Sequence, residues 1–85
     1  MLLEILTPEK GIYSGEVYGV QLPGIEGLFE ILDKHAPLVS ALGKGNVKIL
    51  LSSAKNNDKN YTINTGFVEM VNNKATVLVE SATAL

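Results

Sequence analysis

The residues best suited to chemistry gather around His35, the one histidine of the chain. Asp33 lies two residues before it and Glu30 five before it, so a carboxylate could orient the imidazole for general acid–base work. Hydrolysis of the serine–histidine–aspartate kind also needs a nucleophile elbow, and no G-x-S-x-G occurs. With a single histidine and no cysteine, a zinc site would need three carboxylates, an unusual donor set. Gly24-x-x-Gly27 is followed by neither a Lys-Ser nor a Lys-Thr pair and opens no helix, so it is no phosphate cradle. Asn60-Tyr61-Thr62 has the form of a glycosylation acceptor, a short pattern that also arises by chance. Glu26, Glu30 and Asp33 place acidic groups on or beside one corner, read either as a solvated rim or as a surface that steers association. These residues favour a binding or scaffold module over an enzyme, with His35 bonded to backbone or making a surface contact.

The stretch that must position these groups runs from Leu22 to Leu42. Pro23-Gly24-Ile25-Glu26-Gly27 is dense in turn formers. Leu28–Leu32 and Leu38–Leu42 are apolar runs on either side of the polar break Asp33-Lys34-His35-Ala36-Pro37. The reading is two strands joined by an ordered corner that carries the histidine.

The chain is 85 residues long and 46% hydrophobic, which makes one small globular domain of modest stability. Without cysteine it can build neither a disulfide framework nor a thiolate metal site. No apolar run of 18 residues is present, and Met1-Leu2-Leu3-Glu4 lacks the basic start of a secretory signal. The 7 basic residues are all lysines, scattered singly in a chain of net charge −2, which argues against nucleic acid as a partner.

Period-two alternation dominates the remainder. Leu2–Leu6 reads as a strand ended by Thr7-Pro8, and Ser14-Gly15 as a bend or bulge. Tyr18, Val20 and Leu22 share one face, while Val17, Gly19 and Gln21 share the other. Gly43-Lys44-Gly45-Asn46 reads as a turn, and Val47–Leu51 as a strand apolar on both faces toward its end. The polar segment from Ser53 to Asn60 reads as an exposed hairpin loop with its tip at Asn56-Asn57-Asp58. After a break at Thr65-Gly66, Phe67–Val71 places Val68 and Met70 in the core. Asn72-Asn73 suits a two-residue hairpin turn. Lys74–Glu80 sets Ala75, Val77 and Val79 against Thr76, Leu78 and Glu80. Residues 81–85 read as a weakly ordered tail that starts a helix or frays. Short strands punctuated by turns predict an all-β fold, a flattened sandwich or barrel of about eight to ten strands in a single domain over 1–85.

Five ordered motifs carry a resemblance. They are L-x-I-L-T-P-E-K at Leu3–Lys10, S-G-E-V at Ser14–Val17, L-P-G-x-E-G at Leu22–Gly27, H-A-P-L at His35–Leu38, and G-F-V-E-x-x-N-N-K-x-T-V-L at Gly66–Leu78. Together they resemble the N-terminal β-sandwich domain of the epsilon subunit of F-type ATP synthase, called delta in mitochondria. The match runs from Leu3 to about Thr83. The resemblance implies a ten-stranded sandwich in the central rotor stalk, between the gamma subunit and the membrane c-ring. There it would couple proton or ion transport to ATP synthesis or hydrolysis, with the alpha and beta subunits as indirect partners. It implies no catalytic residue, cofactor or metal in this chain, and a peripheral position on the cytoplasmic face of a bacterial inner membrane or an organellar equivalent. Carried across by motif, the ring contact falls on Glu26, Gly27, His35, Ala36 and Pro37.

The chain departs from the family at Leu28, where a polar residue is usual, and at Glu30, where glycine is common. Asp33-Lys34 stand where Pro-Gly or a similar pair precedes the histidine. The reading is that the acidic charge has moved along the loop while docking is kept, so Leu28, Glu30 and Asp33 join the candidate ring contacts. The two-helix C-terminal domain and the ATP-binding arginine motif of longer members are absent from this sequence, which contains no arginine. A short form without inhibition by extended helices and without bound ATP is therefore expected. The alternative is a small β-sandwich adaptor that binds a peptide along an edge strand.

Overall fold

The computed structural model describes residues 1–52 and 58–85. Ten strands follow in order: β1 (Leu2–Leu6), β2 (Gly11–Glu16), β3 (Gly19–Gly24), β4 (Gly27–Leu32), β5 (Leu38–Leu42), β6 (Gly45–Leu50), β7 (Lys59–Ile63), β8 (Gly66–Val71), β9 (Lys74–Val79) and β10 (Ala82–Ala84). The strands form two five-stranded halves, β4-β3-β6-β7-β10 and β5-β8-β9-β1-β2, joined where Gly24 of β3 pairs with Leu42 of β5. Neighbours are antiparallel except β1 and β9, which run parallel with Leu2 opposite Lys74 and Leu6 opposite Leu78. The all-β expectation is borne out.

Alternation explains the packing. Val20, Leu22, Ile31, Val47, Ile49 and Ile63 point inward from one half, while Leu3, Ile5, Leu42, Val68, Met70, Ala75, Val77 and Val79 do so from the other. Side chains on both inner faces interlock into one core, as a two-layer sandwich requires. Val68 and Met70 are buried as expected, and so are Ala75, Val77 and Val79.

The turns refine the sequence reading. Asn72 and Asn73 hold φ of 51° and 58°, the left-handed pair that a two-residue hairpin demands. The Pro23–Gly27 turn is tighter than expected: Pro23 and Gly24 complete β3, Gly27 opens β4, and only Ile25 and Glu26 turn. Likewise Gly45 and Asn46 belong to β6, leaving Gly43-Lys44 as the bend. Thr65 remains outside the strands, whereas Gly66 begins β8. The reason is room, because a Cβ on Gly66 would lie 2.1 Å from the Leu78 carbonyl oxygen.

Ser14-Gly15 is not a bend. Both lie within β2, and the irregularity falls at Ile12, since Ile5 faces Tyr13 while Leu6 faces Gly11. Gly15 instead makes space for Tyr13, whose hydroxyl would sit 3.2 Å from a Cβ there. The Tyr13 ring meets Tyr61 edge-on at 6.5 Å and lies under the Lys59 ammonium at 5.7 Å, which closes the β2–β7 side of the sandwich. In place of a helical start, Ala82–Ala84 pair with Ile63–Tyr61 of β7. The loop expected over Ser53–Asn60 falls mostly on 53–57, outside the described residues, and it ends sooner than expected, because Lys59 and Asn60 already pair with Ile49 and Lys48 as the start of β7.

Two substitutions test this packing. Val68→Asp or Met70→Asp places a carboxylate in a fully apolar core and should remove at least ~3 kcal/mol of stability in urea unfolding followed by circular dichroism. An unchanged midpoint would overturn the face assignment. Gly66→Ala should cost on the order of 2–3 kcal/mol by forcing β8 from β9, while Gly43→Ala, with only Ile25 at 3.8 Å, should cost far less.

Candidate functional site

The β3–β4 hairpin is built around its glycines. A Cβ on Gly24 would lie 2.7 Å from the Gly27 carbonyl oxygen and 2.9 Å from the Phe29 ring, and Gly27 holds φ of 130°. The hairpin end is pinned to β5 and the following bend. Ile25 N–H donates to the Ala41 carbonyl at 3.3 Å, and Gly43 N–H donates to the Pro23 carbonyl at 2.8 Å. The tip presents Ile25 and Leu28, 70% and 67% exposed, beside Glu26 and Gly27.

The histidine corner lies at the other end of β4. Leu28 and Asp33 are separated by five residues of strand, about 16 Å at ~3.3 Å per residue. The candidate residues therefore do not share one corner. Glu26, Gly27 and Leu28 form the hairpin tip, Glu30 lies midway along β4, and Asp33, His35, Ala36 and Pro37 form the far connector. All of them are exposed. Glu26, Glu30 and Asp33 are strung along a strand instead of clustered, a geometry that spacing alone did not reveal.

The connector is tightly specified. His35 N–H donates to the Leu32 carbonyl at 3.0 Å around Lys34, whose φ is 66°. His35 Nδ1 lies 2.6 Å from the Ala36 carbonyl oxygen, so the ring donates there to backbone. Asp33 does not orient the imidazole. Its Oδ1 accepts from the Met1 ammonium at 2.5 Å and from Asn73 Nδ2 at 3.0 Å. Those two donors, the ammonium foremost, hold the Asp33 carboxyl below the usual carboxylate range. Among the described residues, no group of three or more His, Cys, Asp and Glu could hold a metal ion.

A second surface was missed by sequence reasoning. On the outer face of β5-β8-β9-β1, Ala41 pairs with Phe67, Phe67 with Leu78, and Leu78 with Leu6. That register sets an apolar row across the sheet, with Phe67 44% and Leu78 37% exposed. A shallow groove of about 410 Å³ beside it is lined by Leu6, Pro8, Thr65, Phe67, Leu78 and Glu80. Val39, 70% exposed, and Val71, 42% exposed, extend the apolar character of this face. The both-faces reading of Val47–Leu51 gives less than expected, because Val47 and Ile49 are buried and Leu51 packs against the core. The Leu28–Leu32 run, by contrast, leaves large apolar side chains exposed at Leu28 and Leu32.

Comparison with known proteins agrees with this architecture. Residues 1–85 match the family model described as the ATP synthase delta/epsilon chain β-sandwich domain. The chain is 45% identical over 78 residues to an ATP synthase epsilon chain of Chlorobium limicola, covering 92% of this chain and 86% of the relative. It is 46% identical over 83 residues to the epsilon chain of a Nitratiruptor species, covering 98% of this chain and 63% of that one. In fold it resembles a chain of the Euglena gracilis mitochondrial ATP synthase OSCP/F1/c-ring structure, with a TM-score of 0.86 at 19% identity, covering 96% of this chain and 51% of that chain. A chain from the Tetrahymena thermophila central stalk/c-ring structure superposes with a TM-score of 0.77 at 21% identity, covering 95% and 63%. Matched to the family along its whole length and folded as its domain is, the chain belongs to the delta/epsilon β-sandwich family of ATP synthase.

Proposed function

We propose that this chain is a rotor subunit of the central stalk, joining the gamma subunit to the c-ring and so coupling ion movement to ATP synthesis or hydrolysis. The observation that carries the reading is the family match across residues 1–85, together with near-full coverage of an epsilon chain at 45% identity. The geometry supports it. Transmitting torque requires a body that does not shear, and a sandwich with an apolar core filled from both layers is stiff. The subunit makes no bonds in the nucleotide itself. It attaches to the membrane only through the complex, and no helix among the described residues is long and apolar enough to cross one.

Two surfaces divide the work. The apolar row Leu6–Leu78–Phe67–Ala41 offers an area suited to a permanent partner, and we assign it to gamma. The ring contact runs as a strip along β4, from Glu26, Gly27 and Leu28 through Glu30 to Asp33, His35, Ala36 and Pro37. Ile25 and Leu28 supply apolar anchors at its hairpin end, while Glu26 and Glu30 supply charge toward polar loops of the ring. Asp33 contributes position instead of charge, because its carboxylate is occupied by Met1 and Asn73.

Pull-down with the tagged chain from solubilised membranes of its source should recover gamma, c, alpha and beta subunits. Recovery of unrelated proteins alone would overturn the assignment. Phe67→Glu and Leu78→Glu should each keep the melting temperature and reduce gamma recovery by roughly tenfold or more. Leu28→Asp should spare gamma and weaken retention on isolated c-rings. Loss of both partners with either variant would refute the division of surfaces.

A further inference from the structure

Asn73 carries a side chain where the local backbone asks for none. It is the second residue of the β8–β9 turn, with φ of 58° beside Asn72 at 51°. Glycine adopts that left-handed geometry without penalty, so turn chemistry alone would favour Asn-Gly here. The carboxamide is used elsewhere. Asn73 Oδ1 accepts from Lys34 N–H at 2.7 Å, and Asn73 Nδ2 donates to Asp33 Oδ1 at 3.0 Å, across 39 and 40 residues of chain. Both partners belong to the β4–β5 connector. The Asn73 backbone is itself anchored, because its carbonyl accepts from Leu2 N–H at 3.1 Å. The connector, in turn, holds Lys34 at φ of 66°, a conformation that costs any residue bearing a Cβ. His35 N–H closes that bend on the Leu32 carbonyl at 3.0 Å.

We propose that Asn73 is a positioning residue: it clamps the His35 connector to the β8–β9 hairpin and thereby ties the two docking surfaces to each other. The hairpin is the common element. Phe67 stands on β8 and Leu78 on β9, so the strands that carry the apolar row end in the side chain that holds Asp33 and Lys34. His35, Ala36 and Pro37 follow directly in the chain. The halves of the sandwich already meet by backbone at Gly24 and Leu42, beside the hairpin end of β4. The Asn73 clamp ties the other end of that strand, so β4 is braced at both ends against the half that bears the apolar row. A strip fixed at two points resists swinging when one partner turns against the other. The clamp stands on geometry alone, and its mechanical role rests on the division of surfaces proposed above.

The test compares the unchanged chain with Asn73→Gly, Asn73→Asp and Asn72→Gly. Asn73→Gly keeps the left-handed turn and removes both side-chain bonds, so its melting temperature should move by no more than about 5 °C. Amide exchange followed residue by residue should quicken by about threefold or more at His35 as well as at Lys34. Faster exchange at Lys34 alone would show a lost acceptor and nothing more, and would overturn the clamp. Asn72→Gly relaxes the same turn with the clamp atoms in place, so both amides should exchange as in the unchanged chain. Asn73→Asp keeps an acceptor for Lys34 and sets a second carboxylate against Asp33. Its His35 exchange should rise at low salt and fall back as salt is added, and this variant carries the comparison if Asn73→Gly fails to fold. The second arm reads the partners. Asn73→Gly should weaken retention on isolated c-rings about threefold or more and leave gamma recovery unchanged. Undiminished retention in a variant whose His35 is loosened would overturn the mechanical role. An unchanged chain that does not hold the ring would overturn the strip and that role together, whereas the clamp is decided by the exchange arm alone.

Discussion

The bridge between Gly24 and Leu42 is the contact on which the architecture depends. It joins the two halves of the sandwich at Gly24, the residue whose missing side chain also lets the Gly27 carbonyl and the Phe29 ring of β4 close in. The Ile25–Ala41 and Gly43–Pro23 hydrogen bonds flank it and fix the angle at which the β3–β4 hairpin leaves the body. The exposed tip is therefore a rigid projection from the core. Its apolar residues can remain in water because the backbone beneath them has no freedom to turn them inward.

The two ends of β4 are stabilised by different physics. At the hairpin end, close backbone approach does the work, and glycine is the residue that permits it. At the connector end, a charge network does it, with the Met1 ammonium, Asp33 and Asn73 holding a loop that contains a left-handed lysine. Close packing neither titrates nor is screened by salt, whereas a charge network does both. The strand between them is a stiff spacer with a fixed end and a tunable end.

Much of the fold was legible because alternation is strict wherever one face is buried. Val68 and Met70, or Ala75, Val77 and Val79, declare their face without help from any other strand. The Asn72-Asn73 turn declared itself by residue type. What stayed hidden depends on partners distant in sequence. The row Leu6–Leu78–Phe67–Ala41 needs the parallel pairing of β1 with β9, which no local pattern encodes. Asp33 sits two residues from His35, so proximity in sequence suggested a pair, yet its carboxylate turns to Met1, 32 residues away. The motifs flanking β4 look contiguous when written out, and a strand holds them a strand-length apart.

The parallel pairing of β1 with β9 has a consequence for how the molecule comes into being. The second strand of that pair leaves the ribosome only after the eight strands before it, so β1 has one neighbour, β2, until then. Its inward Leu3 and Ile5 are without their eventual cover during that time. Closing the sheet requires a long loop to be bridged before the contacts that reward it can form, which slows folding. Assembly with any partner through the outer row must wait for this closure, because Leu6 and Leu78 become neighbours only then. The surface is thereby withheld from partners until the sandwich beneath it is whole.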